Sequence, residues 1–428
     1  MIGVRGAHGV PFVRCAAAVL AAASIVACGA GTPRYRGGVD HEPVIRVLLD
    51  QTAGVLRVHA SGRWRIVAGT NTLLRGTEPV AVQLRRRGGA IDIDAGQAGT
   101  ASADGLLDII VDGSGTLKTK ASTWPGRIRV LAYGHSDLLM LNVVGIESYL
   151  EGVVPHEIGR PGPDAYAAVE AQAIAARTYA LGRIQTRSAE AFDVYAGIRD
   201  QVYRGTVGRT RVGNAAVRDT RGMVVRYRGK LARCYYSATC GGHTANIERV
   251  WPQRESAPYL QGVLDRDDRG TSFCAWVHNF RWHYAFTGRK LGRILRRTIS
   301  SELGAPRGGV GRLVDIEVTQ RTRSGRAEVL RVKTARGEWE VVGDRIRRVL
   351  SPDPARGRIL PSTLFYFKVR RRGGRVVRVD IMGGGNGHGV GMCQNGAISM
   401  ARRGYSYRMI VAHYYPGTTI ERAYGRQS

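Results

Sequence analysis

The sequence predicts an α+β fold, mainly antiparallel β with one long buried alanine-rich helix, a few short helices and a cleft between lobes. Three observations carry that expectation. Residues 44–144 break into short alternating or β-branched runs separated by Gly, Asp and Ser. The stretch "AYAAVEAQAIAARTYALGRIQ" then changes the period, with helical length and alanine on nearly every face. Beyond it, strand-like runs alternate with glycine turns until the segment "GGGNGHGVGMCQNGA" at 383–397.

Residues 1–27 have the form of a lipoprotein signal peptide. Arg5 and Arg14 precede the apolar run "CAAAVLAAASIVA", which is too short to cross a bilayer as a mature helix. "SIVAC" reads as a lipobox that makes Cys28 the lipidated first residue, so the protein is expected to be exported and anchored to a bacterial membrane by lipid. Residues 28–43 read as a flexible tether. The runs "VIRVLLD", "VLRVHA", "RWRIVA", "VAVQLRR", "AIDIDA", "LLDIIV", "RIRVLAY" and "LLMLNVV" make 44–144 a β-rich region.

A core carrying the long helix is expected over 145–285. "GIESYLEGVV" reads as a short helix, "PHEIGRPGP" as a loop, and Asp164 as the N-cap of the alanine-rich helix. "GMVVRYRGKLARCYYSATCGG" reads as a hairpin turning at Arg228-Gly229. Residues 286–382 read as a β-rich insertion lobe, with turns at Ser324-Gly325, Arg336-Gly337 and Gly373-Gly374 and a short helix at "GDRIRRVL". The Arg-rich segments 288–298 and 345–348 read as solvated faces. The glycine segment and C-terminal helices over 383–428 complete the core.

Composition narrows the partners. The chain has 428 residues and a formal net charge of +30, which becomes +28 when Arg5 and Arg14 leave with the signal peptide. Such a balance calls for a polyanion. Export and the lack of any nucleic-acid motif exclude nucleic acid, leaving an anionic envelope polymer. Cys234, Cys240, Cys274 and Cys393 remain after Cys15 and Cys28, and four cysteines permit three pairings. A continuous strand through "CYYSATC" puts Cys234 and Cys240 about 20 Å apart, beyond bridging distance. The glycine segment fits neither a P-loop nor a dinucleotide fingerprint. What remains is left-handed backbone, or close approach of main chain to a ligand or another segment.

"YLEGVVPHEIG", "AAVEAQAIAARTYAL", "CYYSATCGGHT" with Trp251 after it, "GNGHGVGMCQNGAISMA" and "HYYPGT" resemble, in this order, the signature segments of the stage II sporulation protein D and amidase-enhancer (SpoIID/LytB) family. The resemblance implies a protein acting on peptidoglycan glycan strands. Members similar to the sporulation protein are lytic transglycosylases, which cleave the MurNAc-β-1,4-GlcNAc bond of denuded strands and form a 1,6-anhydro ring. Others are amidase enhancers, for which binding rather than cleavage matters, with a cell-wall amidase as partner.

Under the first reading Glu157 is the single catalytic acid/base, because the sugar's own hydroxyl is the nucleophile and no second carboxylate or cofactor is required. It follows the apolar "VVP", where desolvation raises a carboxyl pKa. Gln172, Arg177, Tyr179, His388 and Gln394 are the expected substrate-binding residues. Arg177 would take a lactyl carboxylate or, alternatively, pair with Glu170. The resemblance also implies a Cys240–Cys274 disulfide. The alternative it offers is a structural zinc near "CGG", with Cys234, Cys240 and His243 as ligands.

Overall fold

The computed structural model describes residues 41–306 and 308–425. The expected signal peptide, Cys28 and nearly all of the tether lie outside these residues. The architecture is mixed α+β and dominated by antiparallel sheet, organised around two main hydrophobic cores.

The N-terminal strands form two packed sheets. A seven-stranded sheet has the spatial order Val194–Tyr195, Val44–Thr52, Asp137–Gly145, Arg127–Tyr133, Leu106–Val111, Trp64–Ala68, Asn71–Gly76. A six-stranded sheet runs Thr123–Trp124, Thr116–Lys118, Leu56–Ser61, Val80–Arg87, Ala90–Asp94, Thr100–Asp104. Alternation decides which face is inside: Leu56, Val58 and Ala60 point into the core while Arg57 and His59 point out. The strands Asn71–Gly76 and Thr100–Asp104 were not anticipated. Their sequences, "NTLLRG" and "TASAD", lack the β-branched run that marks the others.

Helix α1 (Ile146–Glu151) leaves the strand Asp137–Gly145, and the short α2 (Val154–Glu157) follows. Helix α3 (Tyr166–Thr186) is 21 residues long and buries Ala168, Ala171, Ala173, Ala175, Ala176 and Ala180. It touches helices Arg211–Asp219, Gln394–Arg402 and Tyr407–Tyr414 and the strand Met223–Tyr227, and alanine lets each approach closely. Asp164 does not cap it. That residue lies in a one-turn 3-10 helix, Pro163–Ala165, and its carboxylate bonds Arg402 at 2.7 Å.

The hairpin at Arg228-Gly229 has both turn residues at positive φ, +48° and +74°, the I′ geometry that suits twisted strands. "CYYSATC" is not a continuous strand: Tyr236–Ser237 pairs in parallel with Met392–Cys393, and Thr239 makes an isolated antiparallel bridge to Asn386.

The second core gathers residues of 286–381. Its strands Arg281–Thr287, Arg375–Gly384 and Phe365–Arg372 form one sheet, and Leu313–Arg321, Ala327–Thr334 and Gly337–Val342 another. A 16-residue helix, Gly288–Leu303, packs on them, capped by Thr287. Its arginines are solvated as expected, but Leu291, Ile294, Leu295, Thr298 and Ile299 form a buried stripe at helical spacing.

Candidate functional site

Glu157 ends α2, half-buried, where the chain folds back toward residues 196–204. Its Oε1 accepts the Val202 N–H at 2.7 Å. Burial raises its pKa, while the Val202 N–H and the Gln394 amide pull it partly back. Tyr149 and Tyr236 flank it; burial, and then the Glu157 charge, hold both phenols well above their ordinary value. Gln201 ties the two phenols together, accepting from Tyr149 Oη at 3.1 Å and donating to Tyr236 Oη at 2.8 Å. Gln394 donates to Gln172 Oε1 at 3.2 Å. Glu157, Gln172 and Gln394, far apart in sequence, therefore share one niche, and the buried Gln172 Nε2 has no hydrogen-bond partner there.

Tyr179 and His388 meet in an adjoining pocket of about 270 Å³, with Tyr235, Tyr236, Trp251, Arg183 and Arg254. The His388 ring lies 4.8 Å from that of Trp251, which is 5.1 Å from Tyr235. His388 Nδ1 accepts the Val390 N–H at 3.0 Å, which places any proton of the neutral ring on Nε2. Burial lowers its pKa to about 4, so the ring is neutral at pH 7. Tyr179 Oη donates to Asp200 at 2.7 Å and accepts from Arg183. A larger cavity of about 1110 Å³ lies against the N-terminal sheets, lined among others by His59, Lys118, Trp124, Tyr203 and Arg204. Ile198, 96% exposed, lines both pockets, and Val202 lines the larger one.

Arg177 does not face either pocket. It is fully buried and forms a bidentate pair with Glu147, Nε to Oε1 at 3.0 Å and Nη2 to Oε2 at 2.7 Å, so it is corrected from a substrate ligand to a structural ion pair. Glu170 is not its partner. The helix turns Arg177 toward α1, whose Glu147 also accepts from Gly222 N–H and Tyr424 Oη.

The glycine segment packs closely against the protein's own chain. Asn386 and Thr239 exchange both backbone hydrogen bonds, at 2.7 and 2.9 Å. Gly391 has φ +71°, and a Cβ there would stand 2.1 Å from Tyr235 O. Left-handed backbone and close approach to a second segment therefore both occur, with Gly385, Gly387, Gly389 and Gly391 all at positive φ.

The described cysteines form no disulfide, and a cluster fit for a metal is present with ligands that differ in part from the expected set. Cys240 and Cys274 are free, with sulfurs 3.7 Å apart, so no disulfide joins them. Cys234 and His243 do not gather with Cys240: Cys234 is buried against Thr178 and Tyr415, and His243 Nδ1 bonds Thr244 O at 2.7 Å. Instead a buried cluster of Cys240, Asp265, Cys274 and Cys393 is positioned for metal coordination. Asp265 and Cys393 were not foreseen as ligands, since the four positions are scattered between 240 and 393 with no ligand spacing.

Two family models match the chain, Stage II sporulation protein over residues 134–227 and a domain of unknown function over 274–391. The chain is 32% identical over 296 residues to an uncharacterized protein of Brachyspira hyodysenteriae, covering 69% of this chain and 71% of that one. It is 28% identical over 299 residues to the amidase enhancer of Bacillus subtilis, covering 63% of this chain but only 40% of the enhancer. To the stage II sporulation protein D of Bacillus subtilis it is 28% identical over 295 residues, 65% of this chain and 75% of that protein. The relatives with functional names are thus an enhancer and a sporulation protein, neither named for a reaction of its own. That finding overturns the expected lytic transglycosylase activity.

Proposed function

Since this chain belongs to the stage II sporulation protein D and amidase-enhancer (SpoIID/LytB) family, we propose that it binds peptidoglycan glycan strands and enhances a cell-wall amidase without cutting the strands itself. The observation that carries this reading is the similarity to the amidase enhancer. Two features of the surface support it. The small pocket combines clustered aromatic rings, tilted or edge-on to one another, with Arg183, Arg199 and Arg254, suited to a sugar ring and an anionic substituent together. Lys118, Lys120 and Arg204 carry the same charge into the larger cavity across Ile198. In this role Glu157 accepts hydrogen bonds, orienting the 202 loop and sugar hydroxyls. The N-terminal sequence, which reads as a signal peptide with a lipobox, supports a place on a bacterial membrane surface, within reach of the wall.

The test is sedimentation with purified sacculi and with denuded glycan, alongside an amidase assay with and without this protein. Binding and a faster amidase are expected, and Trp251→Ala should weaken binding about tenfold. Absence of binding to either polymer refutes the reading, as does anhydro-muramyl product formed by this protein alone.

A further inference from the structure

We propose that Cys240, Asp265, Cys274 and Cys393 bind one zinc ion in a tetrahedral site of three sulfurs and one oxygen. The four ligand atoms lie within 4.8 Å of one another, and all four residues are buried. The Cys240–Cys274 sulfur separation of 3.7 Å decides between two chemistries. A disulfide needs about 2.05 Å. Two thiolates held at about 2.3 Å from a tetrahedral zinc stand about 3.8 Å apart, which is the spacing observed. Three thiolates with one carboxylate select zinc over calcium or magnesium, which take oxygen ligands.

The surroundings suit thiolates. Gly242 N–H points to Cys240 Sγ at 3.3 Å, Cys240 N–H to Cys393 Sγ at 3.2 Å, and Gly241 N–H to Cys274. Asp265 is oriented by Tyr414 Oη at 2.6 Å, with His413 at 3.8 Å, the outer support that metal-bound carboxylates usually have. Asp265 Oδ2 also lies 2.9 Å from Cys240 Sγ, a proton-mediated contact that zinc replaces.

Arg326 provides an independent indication. It is 1% exposed and donates through Nη2 to Cys240 O at 2.6 Å, while its Nε and Nη1 have no partner and no carboxylate pairs with it among the described residues. A buried guanidinium without a counter-ion is strongly destabilising. Zinc binding sends three thiol protons to solvent and leaves a centre of net charge 2−, which supplies the missing counter-charge. The site also has a structural consequence, because Cys393 precedes Gln394. A metal there fixes the amide that reaches Gln172 and Glu157.

The experiment measures zinc in the purified full chain by mass spectrometry of the metal. It is paired with peptide-mapped alkylation of Cys234, Cys240, Cys274 and Cys393 in denaturant without reductant. One zinc per chain is expected, with all four cysteines alkylated after chelation. Cys234→Ser and His243→Ala should keep the metal, while Cys393→Ser and Asp265→Ala should lose it. Should the last two not fold, cobalt exchanged into the unmutated protein reads the site directly, as strong thiolate-to-cobalt absorption. A protein that takes up neither zinc nor cobalt overturns the proposal, as does a Cys240–Cys274 linked peptide or zinc lost from Cys234→Ser.

Discussion

Replacing Arg177 with methionine removes a guanidinium that makes every one of its contacts inside the protein. Two of its bonds go to Glu147, one to Val217 O at 3.1 Å, one to Met223 O at 3.2 Å and one to Thr220 Oγ1 at 3.4 Å. The substitution strands a buried carboxylate that keeps only Gly222 N–H and Tyr424 Oη, and it strips donors from the buried Val217 carbonyl and the partly buried Met223 carbonyl. Breaking one side of such a pair costs about 3–5 kcal/mol. In urea this lowers the unfolding midpoint by about 1 M or more, taking a slope of about 3 kcal/mol/M for a chain of this size.

Arg177→Met combined with Glu147→Leu should recover much of that loss, because no unpaired charge remains. Burial pushes the Glu147 carboxyl up, but the Arg177 charge and the hydrogen bonds of Arg177, Tyr424 and Gly222 bring it below its ordinary value. Its stabilisation is therefore present above the unfolded carboxyl pKa and lost as pH falls through the lower folded one. The gap between wild type and Glu147→Gln should close in acid. An Arg177→Met protein with an unchanged midpoint and no affinity for sacculi would refute the structural assignment and return Arg177 to the ligand.

Glu157 titrates in the opposite sense. Its folded pKa is raised, so any stability it lends is present in acid and lost as pH rises through that value. Glu157→Gln should melt above wild type at pH 7 and together with it near pH 3; a lower melting point at pH 7 would contradict the desolvation argument. For His388, burial lowers the pKa to about 4, with Asp344 opposing and Arg347 and Arg326 adding to the effect. Stability should fall as pH drops from about 6.5 to 4, and His388→Gln should flatten that slope in thermal melts.

Much of the N-terminal sheet was legible because its strands have one buried face, and period-two alternation is a local signal. Helix α3 was legible from composition, since so much alanine suits only a helix packed on several sides. The cap at Asp164 was misread because an acid before a helical run has two uses. Here the carboxylate reaches Arg402, 238 residues away. Helix Gly288–Leu303 was obscured by its own arginines, which drew attention from the leucines and isoleucines spaced three and four apart beneath them. Long-range partners caused the site-level errors. Nothing near Arg177 in sequence announces Glu147, and no spacing announces that Asp265 joins three distant cysteines. Residues sharing a signature segment were also not always neighbours in space: Cys234 and Cys240 are six positions apart, yet they serve different surroundings.

The glycine segment links the aromatic pocket to the cysteine cluster, and a single substitution tests that link. Met392 N–H bonds Tyr235 O at 3.0 Å, and this contact exists because Gly391 beside it has no side chain. On the pocket side of the junction stand Tyr235, Trp251 and His388; on the other, Cys393 and Gln394. Gly391→Ala meets two penalties at once, a left-handed φ of +71° and a Cβ 2.1 Å from a backbone oxygen that cannot swing away. The junction must open, at about 3 kcal/mol or more. Gly229→Ala is the control, with a similar φ of +74° but nothing within 4 Å of the new Cβ, so strain alone acts at about 1–2 kcal/mol. Alkylation of Cys393 in the native protein should accelerate in Gly391→Ala and not in Gly229→Ala, and His388 should titrate nearer its ordinary value only in the former. If both variants expose Cys393 equally, general destabilisation explains the result, and the glycine has no special part in holding the pocket against the cluster.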